Sequence, residues 1–415
     1  MRSFRLVTIW LINFLMLSPL WANELVIATT FSPEATAKMM SHWHRQSSSL
    51  PVRTLNRTSS SLERLMDTPL NDGIDLILTS SPMLMQHLQD RQLLSPIPVL
   101  PLESQRLVPD SIRGSAAAIA ISGFGILANS AALQEKNLPP PASWDQLKDP
   151  RYQSLILMSS PSRSDTSHLM IEMLLQQQGW RQGWATLMEI SGNLATISSR
   201  SFGVASKIKT GLGVAGPIID NYATPLLKDP HLTFRYIPQA GAAPTFIAIA
   251  RNSANKDLAI RFIHFLLSKQ GQDILADNDT GKFPVFPLPA HNPRAQQQFI
   301  LLQSSPPDYR RVLLRQKLVQ RLFDTAITFR LNQSQDIWKA LHNAETRLHR
   351  PLPDIRAQLT AMPVSAQQAD DPDYLRQFNQ SANNSIPLES RLIEWQRFFQ
   401  HQHQQALQQL EAVGD

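Results

Sequence analysis

The chain has 415 residues, with 39 Lys and Arg against 33 Asp and Glu, and no cysteine. Its length suits about two to three domains at roughly 150 residues each, and at 42% hydrophobic and 17% charged it is neither disordered nor fibrous. The missing cysteine excludes a disulfide scaffold, a Cys-ligated metal, a thiol nucleophile and a lipid-modified cysteine anchor, while a surplus of +6 is too diffuse to argue for nucleic acid.

Residues 1–22 run from basic Arg2 and Arg5, through the apolar stretch Leu6 to Leu17, to Ser18-Pro19-Leu20-Trp21-Ala22. Basic, apolar and small in that order is a secretory signal peptide, with cleavage expected after Ala22. The apolar run is little more than half the roughly 20 residues of a membrane-spanning helix. A periplasmic product is therefore expected.

Glu24 to Thr30 reads as a strand, and Ser32-Pro33-Glu34 as a helix start, with a hydroxyl N-cap, Pro at the first helical position and an acid in the first turn. Val52 to Leu55 is a second strand. Arg57 to Ser61 leads into a helix carrying Leu62, Leu65 and Met66, and Asp75 to Thr79 is a third strand. This alternation predicts an α/β unit with a mostly parallel sheet. A second α/β block follows from about Ser115. Ala116 to Ile121 and Gly125 to Ala128 read as two strands joined by a Gly-containing turn, Leu155 to Met158 as a strand, and Asp165 to Gln178 as a helix. Val214 to Gly216 and Thr245 to Ala250 are further strands, and Lys256 to Leu275 an amphipathic helix. Two such blocks, with the chain passing between them more than once, place a ligand in the crevice at the carboxyl ends of the strands. From about Ala295 strand signals fade and helical spacing persists over Val312 to Leu331, Ser334 to Leu348 and Leu388 to Leu410.

The informative loops combine hydroxyls with arginine: Thr29 to Ser32, Asn56 to Ser61, Thr79 to Ser81, Ser159 to Ser167 and Ser198 to Ser201. Helix-start N–H groups attract an anion, hydroxyls add neutral donors, and Arg adds a planar fork for phosphate or carboxylate. Ser and Thr are also the commonest helix caps, so no single loop is decisive. The candidate ligand-binding residues are Thr30, Ser32, Arg57, Thr58, Ser59, Ser60 and Ser81 from the first block. From the second they are Ser162, Arg163, Ser164, Thr166, Arg200 and Asp220. The scattered histidines, His42 with His44 and His401 with His403 included, lack acidic partners at metal-ligand spacing. Neither a G-x-S-x-G elbow nor a phosphate-binding P-loop occurs, so catalysis, a metal and a cofactor are not expected. Trp144, Trp180 and Trp184 fall among periodic apolar residues and read as core.

Pro141-Ala142-Ser143-Trp144, with Leu147, Asp149-Pro150 and Tyr152, resembles the P-x-S-W-x-D-L-x-D-P-x-Y stretch of periplasmic solute-binding proteins of ABC transporters. Gln146 stands where the pattern has an acid. Gly125 to Asn129 resembles the preceding G-x-x-Y-N strand, with Ala128 for Tyr. Ser160 to Thr166 resembles the ligand loop P-x-x-S-G-T, with Asp165 for Gly. Thr280-Gly281-Lys282-Phe283-Pro284-Val285 is similar to the late T-G-x-x-P-V segment. The branch is the one that includes ferric-iron and 2-aminoethylphosphonate binders, but only Tyr222 stands where iron binders place adjacent tyrosines.

The resemblance implies a two-lobed, type 2 periplasmic-binding-protein fold over residues 23–290, with interleaved lobes, and a helical C-terminal extension over 291–415. Thr29 to Thr36 and Leu55 to Ser59 are most similar to the binding proteins that regulate phosphoglycerate transport. That implies a receptor for a small phosphorylated carboxylate, phosphoglycerate or phosphoenolpyruvate, which relays occupancy to the periplasmic domain of a membrane sensor kinase. The alternative partner is an ABC permease, with the chain acting as an import receptor for an organic phosphate, a phosphonate or ferric iron. On either reading removal of residues 295–415 is expected to leave ligand binding intact, and to abolish induction only if that region is a signalling surface.

Overall fold

A computed structural model gives the fold and describes residues 24–46, 51–68, 73–379 and 386–414. The expected signal peptide lies outside them. Strands β1 (Leu25–Thr29), β2 (Val52–Asn56) and β3 (Leu76–Thr79) pair in parallel in the order β2-β1-β3. β1 and β3 are buried along their whole length, which is why they read as unbroken apolar runs. The helices between and after them, α1 (Pro33–Gln46), α2 (Ser59–Met66) and α3 (Pro82–Asp90), bury Met39, Met40, Trp43, Leu62 and Leu84 against this sheet. The two-residue strand β4 is Leu94–Ser95, and the long strand β5 is Ala117–Asn129.

In the second lobe, strands β6 (Ile156–Ser159), β7 (Leu194–Ser198) and β8 (Ala215–Ile219) pair in parallel. Their connecting helices are α4 (Asp165–Gln178), α5 (Trp180–Ser191) and α6 (Ser201–Lys209). Strand β9 (Leu232–Tyr236) then lies antiparallel on β5. The chain returns to the first lobe through β10 (Ala242–Ala250), antiparallel to both β3 and β5, then helix α7 (Lys256–Leu266) and the short strand β11 (Phe283–Pro284).

The fold is thus α/β, two-lobed, with a helical C-terminal part. The sheet is mixed rather than mostly parallel, because β5 and β10 run against their neighbours. Ala116 to Ala128 holds no turn either. β5 is one strand of 13 residues that passes from one lobe to the other. Its first half pairs with β10 and its second half with β8 and β9, so the lobes join at Gly123-Phe124. Glycine is required there by crowding: a Cβ on Gly123 would come within 2.7 Å of the Tyr236 ring and 2.8 Å of Leu301. The helix expected over Lys256 to Leu275 is interrupted, with α7 ending at Leu266 and a second helix, capped by the Ser268 hydroxyl, running Lys269–Leu275.

The C-terminal part consists of helices and their connecting loops, with no strand among its described residues. Its longer helices are α8 (Gln316–Ala326), α9 (Leu331–Leu348), α10 (Pro353–Leu359), α11 (Pro372–Asn379) and α12 (Ile386–Gly414). Leu318, Val319, Leu322 and Phe323 of α8, Leu375 of α11 and Trp395 of α12 share one core with Leu169, Trp184 and Leu187 of the second lobe. Polar contacts lock the same junction. Arg315 grips Glu172 of α4 with Nε at 2.8 and 2.9 Å from its two oxygens and Nη2 at 2.8 Å, both side chains being almost wholly buried. Trp180 Nε1 donates to Val364 O at 2.8 Å, and Arg356 pairs with Glu189 at 2.7 Å. Burial pushes the Glu172 carboxyl up and the Arg315 fork opposes it; the bidentate geometry marks an ionised pair. The helical part is built into the second lobe.

Candidate ligand-binding cleft

A cleft of about 890 Å³ opens between the lobes. The first lobe lines it with Thr30 and Phe31 after β1, Thr58, Ser59, Ser60 and Glu63 at the start of α2, and Ser80 and Ser81 after β3. The second lobe supplies the segment Ser160 to Thr166 before and into α4, the segment Ile197 to Phe202 before and into α6, and Asn221 and Tyr222 after β8. Every one of these stretches follows a strand at its carboxyl end, where the parallel topology delivers helix N-termini to a common opening.

The hydroxyls of the second lobe fall in two connected groups. Ser201 Oγ lies 3.2 Å from Ser164 Oγ, 3.1 Å from Thr166 Oγ1 and 3.2 Å from Ser167 Oγ. Ser160 Oγ and Ser162 Oγ are 2.7 Å apart. Several hydroxyls also cap helices: Thr58 accepts from Ser61 N, Ser81 from Leu84 N at 3.0 Å, and Ser164 from Ser167 N. Capping and cleft lining are the same placement seen from two sides. Helix α6 has Arg200 at its N-cap with no side-chain cap bond, so its first N–H groups keep no hydroxyl of their own cap.

Hydrogen bonds reach across the cleft between described residues of the two lobes. Ser59 Oγ donates to Asp165 Oδ2, and Arg200 Nη2 donates to the Thr30 carbonyl at 2.7 Å. Arg200 also stands over the Phe202 ring, 5.3 Å from its centroid. Arg163 is exposed at the cleft wall.

Thr30, Thr58, Ser59, Ser60, Ser81, Ser162, Arg163, Ser164, Thr166 and Arg200 are therefore brought together, while Ser32, Arg57 and Asp220 lie outside the lining. Ser32 is buried at the start of α1, where its carbonyl accepts from Thr36 N and Oγ1. Arg57 is exposed, with Nη1 donating to the neighbouring Asn56 carbonyl. Asp220 is fully buried at the crossing between the lobes, accepting from Gly123 N at 2.7 Å and the Tyr236 hydroxyl at 3.0 Å. Burial pushes its carboxyl up to about 6 against those bonds and the nearby Lys282, and burial brings Lys282 down to about 8. Gly281, at φ +66°, presses on this corner, since a Cβ there would lie 2.6 Å from Asn221 O.

Sequence reasoning missed a third wall. Gln316, Lys317, Gln320, Arg321 and Asp324 of α8, with Thr328 and Phe329, line the cleft. Asp324 Oδ1 accepts from Ser160 Oγ at 3.1 Å and from Thr328 Oγ1 at 2.8 Å. The helical part is thus a wall of the site, which speaks against the expectation that its removal leaves binding intact. His168 near the ligand loop is a core residue, its imidazole pushed down to about 3 by burial. Among the described residues no group of three His, Asp or Glu side chains is placed to hold a metal ion, and no helix is long and apolar enough to cross a membrane.

Residues 71–301 match the family described as bacterial extracellular solute-binding protein. The phosphoglycerate transport regulatory protein PgtC of Salmonella typhimurium is 57% identical over 393 residues, covering 95% of this chain and 98% of that protein. PgtC of Salmonella typhi matches to the same extent. Among solved structures, the periplasmic binding protein AfuA of Actinobacillus pleuropneumoniae, with fructose-6-phosphate bound, superposes with a TM-score of 0.63 at 17% identity, covering 73% of this chain and 98% of that one. Iron-bound HitA of Pseudomonas aeruginosa gives 0.53 at 17% identity, covering 69% and 92%. At these identities the structural likeness speaks for the fold.

Proposed function

This chain belongs to the bacterial extracellular solute-binding proteins, and on that premise we propose that it is a periplasmic receptor for a small phosphorylated carboxylate such as phosphoglycerate or phosphoenolpyruvate. The observation that carries this is the convergence of the α4 and α6 N-termini, a connected set of hydroxyls, Arg163 and Arg200 on one cleft. Helix N-termini and neutral donors suit a phosphate dianion, and guanidinium adds charge in a planar fork. The relatives named for phosphoglycerate transport regulation match along almost the whole chain. The ligand bridges the two lobes and favours their closed arrangement, and that arrangement is the signal read by a membrane sensor. The protein binds its ligand and releases it unchanged.

A structural neighbour named as the substrate-binding protein of an ABC transporter of Agrobacterium tumefaciens supports a second reading, in which the cleft delivers an organic phosphate to an ABC permease. Ferric iron suits the cleft less well. Tyr222 lines it, while Tyr236 is tied to Asp220 outside the lining. The test is genetic. In a strain lacking the gene, a sensory role predicts that phosphoglycerate uptake returns when the transporter is expressed from a constitutive promoter. A transport role predicts that uptake stays lost, and that result would overturn the sensory reading.

A further inference from the structure

Among the described residues the first lobe brings no cation to the cleft. Its lining residues are hydroxyls, Phe31 and Glu63, and Arg57 lies elsewhere. The cationic side chains on the walls are Arg163 and Arg200 of the second lobe and Lys317 and Arg321 of α8. Arg200 already donates to Thr30 O. Lys317 and Arg321 are exposed to the cleft and make no ion pair among the described residues.

The sequence of α8 explains their placement. Leu318, Val319, Leu322, Phe323 and Ala326 form its buried stripe. The complementary positions Gln316, Lys317, Gln320, Arg321 and Asp324 then face the opening. Lys317 and Arg321 are four apart and share one face. Asp324 anchors the helix to Ser160 in the phosphate-type loop at 3.1 Å. At about 1.5 Å rise per residue, Arg321 and Lys317 stand about 4.5 and 10 Å along the axis from that anchor. The acids on the wall are engaged: Asp324 by Ser160 and Thr328, Asp165 by Ser59, and Glu63 by His87 at 3.0 Å. The α8 cations are the free charges of the third wall.

We infer that Lys317 and Arg321 of α8 bind the carboxylate end of the ligand, so that the C-terminal helical part sets the receptor's preference for a solute carrying both a phosphate and a carboxylate over a simple phosphate ester. The division of labour follows from the donors. The α4 and α6 starts offer backbone N–H groups and hydroxyls to a phosphate, whereas α8 offers side-chain charge alone, flanked by the amides of Gln316 and Gln320. This inference rests on the proposed ligand class.

The test uses the full-length protein and the exposed-residue variant K317Q/R321Q, titrated calorimetrically with 3-phosphoglycerate and with glycerol 3-phosphate, which keeps the phosphate and lacks the carboxylate. The expected result is about a thirtyfold or greater loss of affinity for 3-phosphoglycerate, the scale of a charge-assisted hydrogen bond, with glycerol 3-phosphate affinity within about threefold of wild type. An unchanged melting temperature in the variant verifies that the loss is local. Equal losses for both ligands, or none for either, would overturn the inference and leave the ligand class standing. A wild-type protein silent to both ligands would overturn the ligand class itself, and this inference with it.

Discussion

The Ser59 hydroxyl of the first lobe donates to the Asp165 carboxylate of the second, so the two walls of the cleft touch directly. Asp165 stands at the first position of α4. It thus offers the first lobe a charged acceptor. A hydrogen bond to a charged group contributes about 1.5–3 kcal/mol. Here it adds to closure whether or not the cleft is occupied. Ser59→Ala therefore shifts the population toward an open arrangement. Small-angle scattering of the purified variant should give a larger radius of gyration than wild type, with ligand affinity reduced about tenfold. Identical scattering curves would contradict this role.

Arg200 serves both closure and charge, through its bond to Thr30 O and its place on the cleft wall. Arg200→Ala should lower affinity for a phosphorylated ligand about a hundredfold. Arg200→Lys should recover only part of the loss, because an ammonium lacks the fork that lets one nitrogen hold the carbonyl while another faces the ligand. Full recovery by lysine would show that charge alone matters.

The buried Glu172–Arg315 pair fastens the helical part to α4. Removing one partner strands the other charge, at a cost of about 3–5 kcal/mol. Glu172→Ala should lower the melting temperature sharply, while replacing both residues with apolar ones should restore most of it. Truncation before residue 295 should unfold the second lobe, because Trp184 and Leu187 lose the core they share with Leu318 and Phe323. Protection of α4 amides in hydrogen exchange reads this directly, and a truncated chain with native protection would contradict it.

Asp220 gives a signed pH dependence. Burial pushes its carboxyl from 3.8 up to about 6, so between those values the folded chain holds the proton more tightly than the unfolded one. Its burial cost is absent below pH 4 and grows as pH rises to about 6. Asp220→Asn keeps an oxygen for Gly123 N–H and the Tyr236 hydroxyl and removes that cost. The melting temperature of the variant relative to wild type should rise from pH 4 to 6. His168 titrates in the opposite sense in both proteins and cancels in the difference. A difference that is constant over this window would contradict the assignment.

Much of the architecture was legible in short-range signals. The apolar runs of β1 and β3, Pro33 at a helix start, and hydroxyls ahead of α2, α3 and α4 all fall where local rules put them. What was not legible depends on distance along the chain. β5 hides its passage between lobes, because Ser122-Gly123 reads as a turn until Tyr236 and Leu301 are seen crowding it. Asp220 reads as a ligand candidate until Gly123 N–H claims it. Lys317 and Arg321 are the clearest case: on an amphipathic helix a cation facing a cleft and one facing bulk solvent leave the same pattern. Long-range contacts tell them apart, such as that of Asp324 with Ser160, spanning 164 positions.

Calorimetric titration of the purified protein with 2- and 3-phosphoglycerate, against glycerate as control, tests the central claim most directly. Saturable one-to-one binding of a phosphoglycerate at micromolar concentration is expected, with glycerate giving no heat. Absence of heat with either phosphoglycerate at millimolar concentration, or equal binding of glycerate, would contradict it.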